Sequence, residues 1–138
     1  GNWEDVGAAK AASLALVQQG ADFLFHNADA AGLGVFQAAQ EKKVFAFGAN
    51  KNQNDVAPDV VIASATIDIP RAFVQVAREV KEGKFVGRIE RKGMKDGVVD
   101  MVLNPRLEPT IPVAVKNRLN ETRAAIIAGT IQVPTVEF

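Results

Sequence analysis

The sequence predicts an α/β protein, a three-layer αβα fold with a mainly parallel sheet. Short apolar runs bounded by Gly, Asn and Asp alternate with longer segments of helical periodicity, which is typical of βα units. The chain has 138 residues, the length of one domain. Hydrophobic residues make up 48% of it, which is enough to form a buried core and excludes intrinsic disorder.

Two helices and three strands are predicted in the first half of the chain. A helix over 5–19 has Asp5 near its N-cap and stops at Gly20. Its many alanines predict close packing on the sheet. A strand follows at 21–26, and its apolar sequence predicts burial on both faces. The remaining elements are a helix at 32–42, a strand at 44–48, a polar loop at 49–58 and a strand at 60–65.

Two further helices are predicted in the second half. Pro70 fits the first turn of a helix over 69–83, and Phe73, Ala77 and Val80 form its apolar face. Pro112 opens the last helix, which Gly129 closes. Its apolar stripe consists of Val115, Leu119, Thr122 and Ile126.

A β-hairpin is predicted between these helices. Segments 88–91 and 98–103 have strand composition, and the glycine-bounded segment 93–97 forms a turn between them. We expect the hairpin to extend or cover the sheet.

The first five residues, GNWED, resemble a strand-to-helix turn, although no strand precedes them. We therefore expect that the chain is a fragment cut at a βα junction.

Composition excludes several classes of function. Sixteen basic residues balance sixteen acidic ones, so no charge pattern favours binding to a nucleic acid. The chain has no cysteine and one histidine, His26, which argues against disulfides, thiol chemistry and multi-histidine metal sites. No cofactor or metal is expected.

Asp29 and Asp68 could do acid–base chemistry, but no nucleophile lies beside a base, so catalysis is the less favoured interpretation.

Ligands of parallel α/β sheets bind beyond the carboxyl ends of the strands. The candidate ligand-binding residues follow the predicted strand ends, and Gly32 lies where a helix begins. These residues are Asn2, Trp3, Asp5, His26, Asn27, Asp29, Gly32, Asn50, Ser64 and Asp68.

Three of these candidates also have structural interpretations. Trp3 either stacks on a planar ligand or packs under the first helix as a hydrophobic staple. Asp5 suits an N-cap, and His26 suits a polar slot at a strand end. The stretch from Gly32 is not a dinucleotide fingerprint, because Gln37 occupies the position of the third glycine.

The segments GNWEDVGAAKAA, QGADFLFHNADAAGLGVFQAAQEK, VFAFGANKNQ, VVIASATIDI and IIAGTIQVP resemble the basic membrane protein family of ABC-transporter substrate-binding lipoproteins. The resemblance runs through almost the whole chain, in the same order and with similar spacing. It implies one lobe of a type I periplasmic binding protein, the C-terminal half of two lobes that close on a ligand. The helix over 69–83 would then pack on the absent N-terminal lobe or, in this chain, bend back on the sheet or pair with a second copy.

The resemblance also implies roles for individual residues. Trp3 matches the aromatic residue that stacks on a purine base, and residues 28–32 match the glycine-rich turn that lines the pocket. Asn50 stands where the family has an aspartate that holds the ribose hydroxyls. The family commonly has a lysine near Ile67, where this chain offers only Asp68.

The function implied is capture of a small planar polar solute, such as a purine nucleoside, and its delivery to an ABC permease. The protein would be periplasmic or a cell-surface lipoprotein. A ligand-sensing effector domain of a transcription regulator and a sugar-binding protein of the same fold are alternatives, and an α/β enzyme is a third.

Overall fold

The computed structural model describes residues 2–134. Gly1, the first residue of the predicted turn, lies outside the described residues. The chain divides into two compact units, one of Gly1–Thr66 and Met101–Thr110 and the other of Ile67–Asp100 and Ile111–Phe138. The chain therefore passes between the units three times. The predicted α/β class with a mainly parallel sheet is confirmed.

Four strands form one sheet in the order β1-β2-β3-β4. They are β1 (Phe23–Phe25), β2 (Phe45–Gly48), β3 (Val61–Ile67) and β4 (Val99–Leu103). The first three are parallel, with Leu24 opposite Ala46 and Ala46 opposite Val61. The fourth is antiparallel to β3, because Asn104 N–H donates to the Ile62 carbonyl and Asp68 N–H donates to the Val98 carbonyl.

Two helices belong to the first unit, α1 (Val6–Gln18) and α2 (Gly32–Lys42). The sequence predicted both helices to within one residue at each end, because nearby capping residues and glycines mark where a helix begins and ends. The Asp5 carboxylate accepts the Ala8 N–H at 2.9 Å and caps α1. Gly20, with φ of +100°, takes the chain out of the helix.

The core of the first unit lies on one face of its sheet. It consists of Leu24, Val35, Phe36, Ala39, Ala46, Ala57, Val60 and Val61. On the opposite face Phe23 stacks on Phe45 and Phe47, and Phe25 meets Phe47 edge to face. Phe23 is 47% exposed and Phe25 is 65% exposed. The prediction that β1 is buried on both faces is therefore wrong, because the two helices of the unit cover only the Leu24 face.

Helix α1 packs against α2, and its closest approach is at Gly34. A Cβ added to Gly34 would lie 2.0 Å from the Val6 carbonyl oxygen and 2.8 Å from the Lys10 nitrogen. Lys10 also forms an ion pair with Glu41 at 3.0 Å. The hydrogen bond from Lys10 lowers the pKa of the Glu41 carboxyl, and a second hydrogen bond from Lys42 lowers it further.

The predicted packing of the α1 alanines is not found. Those alanines, Ala8, Ala11, Ala12 and Ala15, are exposed.

The second unit contains α3 (Ile69–Lys81) and α4 (Val113–Ala128). Asp68 caps α3 by accepting the Arg71 N–H at 2.9 Å, and Gly129 ends α4 in a left-handed conformation. Neither helix contains a buried residue. On α3, Phe73 is 72% exposed and Val80 is 58% exposed. The apolar face of α3 is therefore exposed at these two positions.

The predicted hairpin is wrong in its first strand, since residues 88–91 form no ladder. Ion pairs hold this segment instead. Arg88 bonds the Glu79 carboxylate at 2.8 Å and also pairs with Glu90, which binds Lys92 at 2.9 Å. The hydrogen bond to Glu79 raises the pKa of Arg88, and the one to Glu90 raises the pKa of Lys92. The predicted turn is a short 3₁₀ helix, Met94–Asp96.

No helix within residues 2–134 is both long and apolar enough to cross a membrane.

The close contact at Gly34 gives a stability prediction. Gly34→Ala should lower the free energy of unfolding by about 2–3 kcal/mol, because backbone atoms of α1 occupy the space of the new methyl group. Gly7→Ala is the matched control, since its added Cβ meets only the Asp5 carboxylate, at 3.4 Å. Higher helix propensity should make the control neutral or more stable by up to about 1 kcal/mol. Urea denaturation measures both, and equal effects would contradict the close helix contact.

Candidate functional site

A cleft of about 530 Å³ opens in the first unit at the carboxyl ends of β1 and β2. It is lined by Ala28, Asp29, Ala30, Leu33, Ala49, Asn50, Lys51, Gln53 and Val56. The position is the one that parallel α/β sheets use for ligands. The side chains on its walls come from the loop that follows β1, from the loop that follows β2 and, at Leu33, from the first turn of α2.

The lining combines apolar surface with a balanced set of polar groups. Leu33 is 44% exposed and Val56 is 49% exposed, although both are large apolar residues. The polar groups are one carboxylate, one ammonium and two amides, those of Asp29, Lys51, Asn50 and Gln53. Such a surface suits an uncharged ligand that has apolar faces and polar edges.

The loop after β2 is supported by Ser64 on β3. Ser64 is 0% exposed, its hydroxyl donates to Asn54 Oδ1 at 2.8 Å, and it accepts the Gln53 N–H at 3.0 Å. Asn54 is itself 2% exposed and donates through Nδ2 to the Val102 carbonyl at 3.3 Å. The loop is thus tied to the sheet by buried hydrogen bonds.

His26 lies beneath the cleft and does not line it. The ring is 6% exposed, and Nε2 is 3.1 Å from Gln53 Oε1. The edge of the ring meets Phe36, with centroids 5.2 Å apart. Gly32 is buried against the ring, since a Cβ at Gly32 would lie 2.6 Å from His26 Cε1.

The structure brings together some of the predicted site residues. Asp29 and Asn50 line the cleft, and the Trp3 carbonyl accepts the Ala31 N–H at 2.9 Å, beside that lining. The Trp3 side chain is 56% exposed, so it is not a buried staple.

The other predicted residues are not among those that line the cleft. Asn2 accepts the Glu4 N–H, Asp5 caps α1, and Asn27 is exposed. Asp68 belongs to the second unit, where it caps α3. Ser64, His26 and Gly32 support the cleft from below.

Gln53 is a cleft residue that the sequence analysis missed. The polar loop at 49–58 was predicted, but Asn50 was its only candidate residue. Within the described chain, residues 2–134, no group of three or more His, Cys, Asp or Glu residues could hold a metal ion.

A parallel α/β unit with a mixed cleft at its strand ends is a small-ligand-binding lobe. A family model described as "ABC transporter substrate-binding protein PnrA-like" matches residues 1–137. The chain therefore belongs to this family of ABC transporter substrate-binding proteins, and the resemblance seen in the sequence is confirmed.

Two curated relatives illustrate the similarity. Basic membrane protein A2 of Borrelia garinii subsp. bavariensis is 30% identical over 97% of this chain and 40% of its own length. A purine-binding protein of Brucella abortus is 27% identical over 93% of this chain and 35% of its own length. The chain thus spans less than half the length of these relatives.

Two solved structures share the fold at low identity. A solute-binding protein of an ABC transporter system from Aeropyrum pernix K1 matches with a TM-score of 0.83 and 21% identity, over 100% of this chain and 47% of that one. A transcriptional activator of the comK gene from Bacillus halodurans matches with a TM-score of 0.82 and 21% identity, over 97% and 46%.

The buried hydroxyl beneath the loop gives a second stability prediction. Ser64→Ala leaves the Gln53 N–H and the Asn54 Oδ1 without their partner, so the free energy of unfolding should fall by about 3 kcal/mol. Ser13 is the matched control, because it is a serine of similar burial, 4% exposed, that lies on α1 and not beneath the loop after β2. Ser13→Ala should change stability by less than about 0.5 kcal/mol. Urea denaturation compares the two, and a neutral Ser64→Ala would show that the loop does not depend on this hydroxyl.

Proposed function

We propose that this chain is one lobe of an extracytoplasmic solute-binding protein that serves an ABC permease. Its ligand is a purine nucleoside or a similar small, planar, polar molecule, held between this lobe and a second one. The observation that carries the proposal is the cleft of the first unit, whose exposed Leu33 and Val56 lie beside uncharged amides. The purine-binding relative supports the choice of ligand class.

Trp3 supplies the stacking surface in this proposal. Its ring is 56% exposed, and its backbone is bonded to Ala31 in the loop that lines the cleft. An indole left in water is free to stack on a purine, and such stacking contributes about 1–3 kcal/mol. Asp29 and Asn50 face the polar edges of the ligand.

The protein binds its ligand and releases it unaltered. The cleft lining offers no nucleophile beside a base, and its only titratable side chains are Asp29 and Lys51. As a transport component of this family it works in the periplasm or as a lipoprotein at the cell surface. The regulator and sugar-binding alternatives are less favoured, because the family model describes a transporter component and one relative is named for purine binding.

Calorimetry on a two-lobed form of the protein tests the ligand. Inosine and guanosine should bind, whereas ribose alone should not. Trp3→Ala should weaken binding by at least tenfold through the loss of stacking, and Trp3→Phe should retain most of the affinity because it keeps an aromatic face. Binding of ribose without any binding of a nucleoside or base would refute the proposal.

The apolar face of α3, formed by Phe73, Ala77 and Val80, packs on the second lobe in this proposal. In the isolated 138-residue chain the same face should bind a second copy, since exposed apolar patches drive association. Sedimentation should show a dimer that Phe73→Glu dissociates. Val113→Glu is the control, because Val113 is 68% exposed on α4. A clean monomer of the unaltered chain, with fast hydrogen exchange along α3, would count against this packing.

A further inference from the structure

We infer that Gln53 is a ligand-recognising residue of the cleft whose side-chain NH₂ group donates to the ligand, and that His26 is the residue that positions it. This inference rests on the proposed function, because it names a contact within the same cleft. Gln53 is not among the candidate residues that the sequence analysis named, and His26 was named there as a candidate for ligand contact.

The orientation of the Gln53 amide follows from its partners. Its oxygen, Oε1, accepts the Ala49 N–H at 2.8 Å and lies 3.1 Å from His26 Nε2. A backbone N–H only donates, so the atom it meets must be the amide oxygen. Neither of these two contacts uses the NH₂ group of the same amide, and the Gln53 side chain lines the cleft. The NH₂ group is therefore available to donate to a ligand.

The same geometry defines the protonation of His26. Because Gln53 Oε1 is an acceptor, Nε2 of the ring carries the proton and donates it. The other ring nitrogen, Nδ1, is buried and has no hydrogen-bond partner. Of the two tautomers of the neutral ring, the one with its proton on Nε2 is therefore the one that can hold the Gln53 side chain.

His26 can hold Gln53 because the ring is itself fixed. It is 6% exposed, it packs edgewise on Phe36, and it lies against the backbone of Gly32. The backbone of Gln53 is fixed as well, by its bond to the Ser64 hydroxyl. Both ends of the glutamine side chain are therefore held before any ligand arrives, which reduces the entropy lost on binding.

A fixed NH₂ group selects ligands by their acceptors. It has two N–H donors and no lone pair to offer, so it favours a carbonyl oxygen or a bare ring nitrogen at the edge of the ligand. Hypoxanthine and guanine, the bases of inosine and guanosine, carry both kinds of acceptor. A ligand with only donors at that edge would leave its own polar groups unpaired, which is costly in a desolvated site.

Gln53→Glu tests the donor role in the two-lobed protein, with inosine as the probe. Glutamate has the same length, and its oxygens can still accept from Ala49 and His26, but it replaces the NH₂ donors with an acceptor. Inosine binding should weaken by at least tenfold while the melting temperature changes little. Gln18→Glu is the matched control, since Gln18 is exposed at the end of α1. Unchanged inosine affinity in Gln53→Glu would overturn the inference and leave the proposed function standing.

Nitrogen NMR tests the positioning role in the 138-residue chain without any ligand. His26 is the one histidine in the sequence, so its ring signals need no assignment. The neutral ring should carry its proton on Nε2, and His26→Phe should shift the side-chain NH₂ signals of Gln53. In the two-lobed protein, His26→Phe should weaken inosine binding about threefold to tenfold. A proton on Nδ1 would overturn the positioning role. If the unaltered protein binds no nucleoside, the proposed function and the donor role fail together, whereas the ring signals still decide the positioning role.

Discussion

The buried hydroxyl of Ser64 is the interaction on which the cleft depends. It lies on β3, accepts from the backbone of Gln53 and donates to Asn54. These two bonds fasten the loop after β2 to the next strand, and Asn54 continues the connection to the carbonyl of Val102 in β4. Without them the loop would have to leave buried polar groups unpaired, so this support determines where its exposed side chains point.

The ends of the helices were predictable because each is encoded within a few residues. Asp5 and Asp68 each accept a backbone N–H three positions later, and Gly20 and Gly129 adopt left-handed conformations that other residues avoid. Such signals need no knowledge of the rest of the fold. The location of the cleft was predictable for a related reason, since parallel strands direct their carboxyl ends to one edge of the sheet.

Features that depend on distant partners were not predictable. Residues 88–91 have strand composition, but a strand needs a neighbour, and here Arg88 pairs with Glu79 on α3 instead. Phe23 and Phe25 have the composition of core residues, but the helices of the first unit cover only the Leu24 face of the sheet, and the two phenylalanines lie on the opposite face. His26 and Gln53 are 27 positions apart and meet only in the folded chain. Their polar character alone therefore could not show that Gln53 is the residue we propose to contact the ligand and that His26 is the one that supports it.

The site thus consists of two layers with different constraints. The exposed layer, represented by Asp29 and Asn50, contributes little to stability, because these side chains face the cleft. The buried layer, Ser64 with His26, is bonded to the fold, so substitutions there disturb the loop itself. A protein built in this way can change its ligand by replacing exposed residues while the loop keeps its shape. Asn50, which lines the cleft where the resemblance implies an aspartate, is not one of the residues whose hydrogen bonds support the loop.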